Sequence, residues 1–69
     1  MKGNSLERLK AIRKRAGLTT YAVAQAVGIS QSYYSLIENG AKTPTVAVAK
    51  RIAQLLLFPW TDFFRDSAA

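Results

Sequence analysis

Gln31 carries the most specific recognition chemistry in this chain. A primary amide presents one donor and one acceptor side by side, which matches N7 and N6 of adenine in a DNA major groove. The same side chain on an exposed helix can equally be idle. Its neighbours in the segment Thr19 to Glu38, TTYAVAQAVGISQSYYSLIE, include hydroxyl groups at Thr19, Thr20, Tyr21, Ser30, Ser32, Tyr33, Tyr34 and Ser35. Asn39 and Lys42 follow. These groups form hydrogen bonds and are not reactive. The chain has no histidine and no cysteine, so it lacks the commonest general base, the commonest metal ligand and any disulfide. Its four acids, Glu7, Glu38, Asp62 and Asp66, include no pair at a spacing that suggests general acid–base work. The inventory points away from an enzyme, a metal site or a cofactor, and towards a binding surface.

These residues need short helices to position them. Small apolar residues at Ala22, Val23, Ala24, Ala26 and Val27 form one segment, and Gly28 breaks it. Ser30 is a good N-cap for a second segment over Gln31–Asn39, which has an apolar inner side and a polar outer side. Two short helices around a glycine turn make a helix-turn-helix. Before them, Leu6, Leu9, Ile12 and Ala16 form one apolar stripe of an amphipathic helix. Ser5 is a partial cap for it, and Gly17 suits its end. Thr19 or Thr20 caps the second helix. The third ends at Asn39-Gly40, both tolerant of left-handed backbone. Pro44 separates the third helix from a fourth, capped by Thr45 and running from Val46 to about Leu57, with apolar positions at Val46, Ala49, Ile52, Ala53 and Leu56. Pro59 can begin a short fifth helix ending near Phe64. Residues 1–4 and the tail from Arg65 read as frayed. The expectation is an all-α single domain over residues 1–69, with a core of Leu9, Ile12, Leu18, Val23, Val27, Ile29, Tyr34, Ile37, Ile52, Leu56 and Phe63.

With 69 residues, the chain is one small domain that buries only roughly 60% of its unfolded surface. Ten Lys and Arg against four acids give a net charge of +6, which favours a polyanionic partner: nucleic acid or an acidic membrane surface. No apolar run approaches a transmembrane length, and the N-terminus MKGNSLERLK lacks the apolar centre of a signal peptide. A cytoplasmic protein is the expectation.

The ordered elements Leu9-x-x-Ile12-Arg13, Gly17-Leu18-Thr19, Val23-Ala24-x-x-Val27-Gly28-Ile29-Ser30, Ile37-Glu38-Asn39-Gly40, Pro44, Ile52-Ala53 and Asp62-Phe63-Phe64 resemble the helix-turn-helix domain of lambda repressor and Cro proteins, the XRE family. The resemblance covers about Leu9 to Phe64. It implies a compact five-helix domain whose third helix enters the major groove. It implies that Ser30, Gln31, Ser32 and Leu36 match positions facing base edges, and that Thr19, Thr20 and Asn39 match positions holding phosphates. It also implies that Arg13 and Glu38 lie side by side and join the first helix to the end of the third. Relatives commonly regulate transcription as dimers on two-fold symmetric operators. Three positions depart from the family pattern: Thr20 stands where glutamine is frequent, Tyr34 where an aliphatic residue is usual, and Tyr33 where a small or polar residue is common.

The remaining readings keep two sides. Ser30 caps its helix, touches a phosphate, or does both. Ser32 can bond a base or a phosphate. Leu36 packs on a thymine methyl or sits at the core rim. Tyr34, three before Ile37, belongs to the core; Tyr33 is expected outside, giving its hydroxyl to a phosphate or a base, or standing in water. An Arg13–Glu38 pair would be bidentate and could leave a guanidinium edge for phosphate; otherwise the two are solvated charges. Lys42, just after the third helix, is the best phosphate candidate among the lysines. The stretch LLLFPWTDFF is more apolar than one small core needs, so Leu57, Pro59 and Trp60 are expected at a homodimer interface. The expected function is a sequence-specific regulator of double-stranded DNA, a repressor, with no small-molecule ligand and no membrane. The rivals are a protein-interaction module, such as the antitoxin partner of a toxin, and a basic amphipathic domain on acidic membranes.

Overall fold

The computed structural model describes residues 5–65, and within that range the side chains of Ser5 and Arg65 are left aside. The expected frayed ends, residues 1–4 and 66–69, and the proposed Ser5 cap therefore lie outside the described residues. The chain forms α1 (Ser5–Arg15), α2 (Thr20–Val27), α3 (Gln31–Glu38), α4 (Val46–Leu56) and α5 (Asp62–Arg65), with no strand among the described residues.

The helix starts follow from one device used three times. Thr19, Ser30 and Thr45 hold extended backbone, and each side-chain oxygen accepts from the amide three residues on: Ala22 N at 3.0 Å, Tyr33 N at 3.1 Å and Val48 N at 3.2 Å. Each such cap contributes about 1 kcal/mol. Thr19, not Thr20, is thus the cap of α2.

The helix ends use different solutions. Gly28 takes φ +82°, and its amide and that of Ile29 both return to Ala24 O at 2.9 Å. Arg51 of α4 reaches across, donating from Nη1 to Val27 O at 3.3 Å, and so ties α4 to the end of α2. At the end of α3 only one of the two residues tolerant of left-handed backbone uses it. Asn39 is right-handed (φ −86°, ψ −2°), and only Gly40 turns left-handed, at φ +81°. Glycine suits this left-handed backbone, and a Cβ there would also come within 3.3 Å of Leu6 Cδ1, a tight contact that the leucine tip would have to yield to.

At the end of α4, Leu57 adopts φ 55°, the one positive-φ residue other than glycine among the described residues. The left-handed step costs about 1–2 kcal/mol. It throws Leu57 out to 89% exposure and sends Phe58 inward, where its ring meets Phe63 edge-on at 5.3 Å. Pro59 does not begin α5 as expected. It precedes a tight turn in which its carbonyl accepts from Asp62 N at 3.0 Å, and the helix starts at Asp62 and includes the backbone of Arg65.

The buried core comprises Leu9, Val23, Ala24, Val27, Tyr34, Ile37, Ala49, Ile52, Leu56, Phe58 and Phe63. Ile12, Leu18 and Ile29, expected inside, are only partly buried against it. Ala24, Ala49 and Phe58 take their places. The two alanines lie on α2 and α4, which pack together and approach closely where side chains are small. Phe58 is inside because of the Leu57 reversal.

Candidate nucleic-acid interface

The N-termini of α2 and α3 converge at one bond. Gln31, the first residue of α3, donates from Nε2 to Thr20 Oγ1, the first residue of α2, at 2.9 Å. This leaves Gln31 with its second amide hydrogen and Oε1, the pair that adenine needs. It also leaves the Thr20 hydroxyl hydrogen to donate outward, while its oxygen orients the glutamine. Thr19 and Ser30, already accepting as caps, keep their hydroxyl hydrogens in the same way. Thr19, Ser30, Gln31 and Ser32 are all exposed.

One turn further along α3, Leu36 is 39% exposed, and past the helix Asn39 and Lys42 are exposed. The Lys42 amide is fixed by Leu36 O at 3.1 Å, so the loop leaves α3 in a defined direction. Tyr33 departs from expectation: it is half-buried and packs on the core, because the turn after its Ser30 cap leans its ring back onto the domain. Only its outer edge can take part in recognition.

The inner side of α3 is held by a bonded cluster. Arg13 donates from Nε to Glu38 Oε2 at 2.7 Å and from Nη2 to Glu38 Oε1 at 3.0 Å, a bidentate pair. Its Nη1 donates to Leu18 O at 2.8 Å, in the link between α1 and α2. Tyr34 donates its hydroxyl to Glu38 Oε2 at 2.8 Å. The hydrogen bonds to Glu38 raise the Arg13 pKa above its ordinary value. Burial, and then the bond to Glu38, hold the Tyr34 phenol well above the usual tyrosine range. No buried side-chain nitrogen or oxygen among the described residues lacks a partner. Arg13, expected also to offer an edge to phosphate, is only 8% exposed and donates from all three of its nitrogens to Glu38 and Leu18, which leaves one hydrogen each on Nη1 and Nη2 for that role. The sequence leads to a core Tyr34 whose hydroxyl reaches a polar partner or solvent; that the partner is Glu38 escaped it, although the i, i+4 spacing was the available signal.

The residues expected at an interface lie elsewhere, around the α4–α5 link. Leu57 and Pro59 are exposed and Trp60 is half-buried. Lys50 Nζ sits 5.0 Å above the Trp60 ring. The Trp60 ring also meets Phe64 at 6.0 Å. Among the described residues there is no group of acids able to hold a metal ion, and no helix long and apolar enough to cross a membrane.

Comparison with known proteins agrees with this geometry. Residues 9–63 match the model of a family described as helix-turn-helix. The chain is 47% identical over 58 residues to the uncharacterized HTH-type transcriptional regulator YqaF of Bacillus subtilis (strain 168), an alignment covering 84% of this chain and 76% of that protein. No solved structure matches significantly. The chain belongs to the helix-turn-helix family, in its lambda repressor and Cro (XRE) branch, and is a DNA-binding regulator rather than an enzyme.

Proposed function

We propose that this single domain is a cytoplasmic transcriptional repressor that binds a two-fold symmetric operator as a homodimer, with α3 in the major groove. Gln31 and Ser32 read base edges by hydrogen bonds, Leu36 by contact with a thymine methyl, and Tyr33 by its outer edge. Thr19, Thr20, Ser30, Asn39 and Lys42 hold phosphates. The observation that supports this most directly is the 2.9 Å Gln31–Thr20 bond, which sets a base-reading amide beside a phosphate-seeking hydroxyl. The dimer edge is Leu57, Pro59 and Trp60. Leu57 projects beside an apolar groove of about 420 Å³ lined by Ile12, Ala16 and Leu56, so a second copy has a projection to offer and a recess to receive one.

Selection of bound duplexes from a random pool at physiological salt tests the reading. The expected outcome is a palindrome whose half-sites lie about one helical turn, roughly 34 Å, apart. An enriched site without symmetry would remove the homodimer, and no enrichment would remove sequence-specific regulation.

A further inference from the structure

A second, larger groove has a shape and a charge that select its occupant. Lys50, Ala53 and Gln54 line it at positions i, i+3 and i+4, a stripe on the outer side of α4, and Leu57, the left-handed residue that follows the helix, closes its end. Trp60 and Pro59 form the opposite wall. The volume is about 810 Å³, and the small residue Ala53 sits midway along the stripe. A stripe of this spacing, with a small residue at its centre, is what a second helix needs to lie alongside. α4 spans 11 residues, about three turns, so the seat is long enough for the two or three apolar anchors of an amphipathic helix.

The charges decide which helix. Lys50 and Arg51 stand on the groove and no acid lines it. Among its described residues, a second copy of this chain has little to set against them. Glu38 and Asp62 are buried, in contact with Arg13 and Arg8, which leaves Glu7 as the one exposed acid among the described residues. In a two-fold pairing centred on this groove, Lys50 and Arg51 would face their own copies, an arrangement that costs free energy. An apolar-faced helix carrying its own carboxylates would satisfy both the floor and the rim.

We propose that the α4–Trp60 groove is a docking site for an acidic amphipathic helix of another protein. None of its lining residues belongs to the proposed DNA surface. Leu57 and Trp60 are shared with the proposed dimer edge, so partner and second copy compete there. That consequence rests on the dimer reading; the docking itself does not.

Trp60 is the sole tryptophan of the chain and lines the groove, so its fluorescence reports occupancy directly. The full chain is titrated with a synthetic helix bearing leucines at i, i+3, i+4 and i+7 and glutamates elsewhere, and with its twin bearing lysines in place of the glutamates. The expected result is a saturable, salt-sensitive emission shift with the acidic helix and none with the basic one. Lys50→Glu, on an exposed residue, is expected to weaken the acidic helix by about tenfold and to admit the basic one. Equal response to both helices, no response to either, or indifference to Lys50→Glu would overturn the docking proposal. A Trp60 shift that follows protein concentration alone, unaltered by either helix, would make a second copy the occupant and overturn it as well. Sedimentation of the chain alone reports the dimer separately: a monomer at every concentration defeats the dimer edge and leaves a positive peptide titration standing.

Discussion

The two sides of α3 are built on opposite terms. The inner side carries Tyr34 and Glu38, both buried, and with Arg13 they share three side-chain hydrogen bonds of 2.7 to 3.0 Å. The outer side carries Gln31, Ser32 and Leu36, all exposed, with the Gln31 amide bonded to the Thr20 hydroxyl. A reader of DNA needs both. The outer groups must stay unsatisfied until a base or phosphate arrives, and they can discriminate only if the helix beneath them does not rotate. The inner cluster spends polar groups on orientation, where apolar packing would serve stability at least as well. Under the proposed reading, Gln31, Ser32, Leu36 and the outer edge of Tyr33 make a thin code, which would leave much of the selectivity to a dimer and to DNA shape.

Glu38→Gln breaks the inner side and has the largest expected effect. The substitution keeps the size of the side chain and leaves the buried Arg13 guanidinium without a counter-charge, at a cost of about 3–5 kcal/mol. In a domain of this length that lowers the melting temperature by roughly 12 °C or more, measurable by circular dichroism. Unchanged melting would mean that the cluster does not hold α1 and α3 together.

Gln31→Ala tests the other side and reverses the pattern. Affinity for the selected operator is expected to fall by about 1–3 kcal/mol, with discrimination lost at one base pair, while melting stays within about 0.5 kcal/mol of the parent. A loss spread evenly over all sequences would demote Gln31 to a positioning role.

Tyr34→Phe returns to the inner side with a smaller effect, because it removes one bond and leaves the ring. The expected cost is about 1 kcal/mol. It carries a signature in pH. The folded-state pKa of Tyr34 is raised, so the native phenol stays neutral while the unfolded one ionises above its ordinary value of 10. The contribution is fully present below that value and is lost as pH rises beyond it. The parent should therefore lose stability on the alkaline side more steeply than Tyr34→Phe, and parallel alkaline limbs in thermal melts would show the hydroxyl to be accessible.

The contrast between the two sides also explains what could be read from the residues alone. The helices were legible because their signals are local: a Thr or Ser cap, an apolar stripe, a glycine after the last turn. Arg13 and Glu38 were legible through their place in a known pattern and the scarcity of acids around Glu38. Tyr34 as their partner was not, because a tyrosine on an apolar stripe reads as core whether or not its hydroxyl is bonded. The exposure of Leu57 was legible, but the burial of Phe58 was not. It depends on a left-handed step at a leucine, which no local rule favours. The same limit applies to Arg13, whose bond to the Leu18 carbonyl depends on the path of the link after α1.

Lys42→Ala probes the outer side where it is least specific, and its expected effect is the smallest. Lys42 is exposed in the loop after α3, and a lysine there meets DNA through a phosphate rather than a base edge. Its removal should weaken every duplex by a similar factor and leave the preferred sequence unchanged. The slope of log affinity against log salt should become shallower by about 0.9, the share of one phosphate contact. Here the two measurements separate cleanly. A changed slope with unchanged sequence preference makes Lys42 part of the electrostatic footing. An unchanged slope would confine the outer side to Gln31, Ser32 and Leu36 and the hydroxyls around them, and would leave the net charge of +6 to act from elsewhere on the domain.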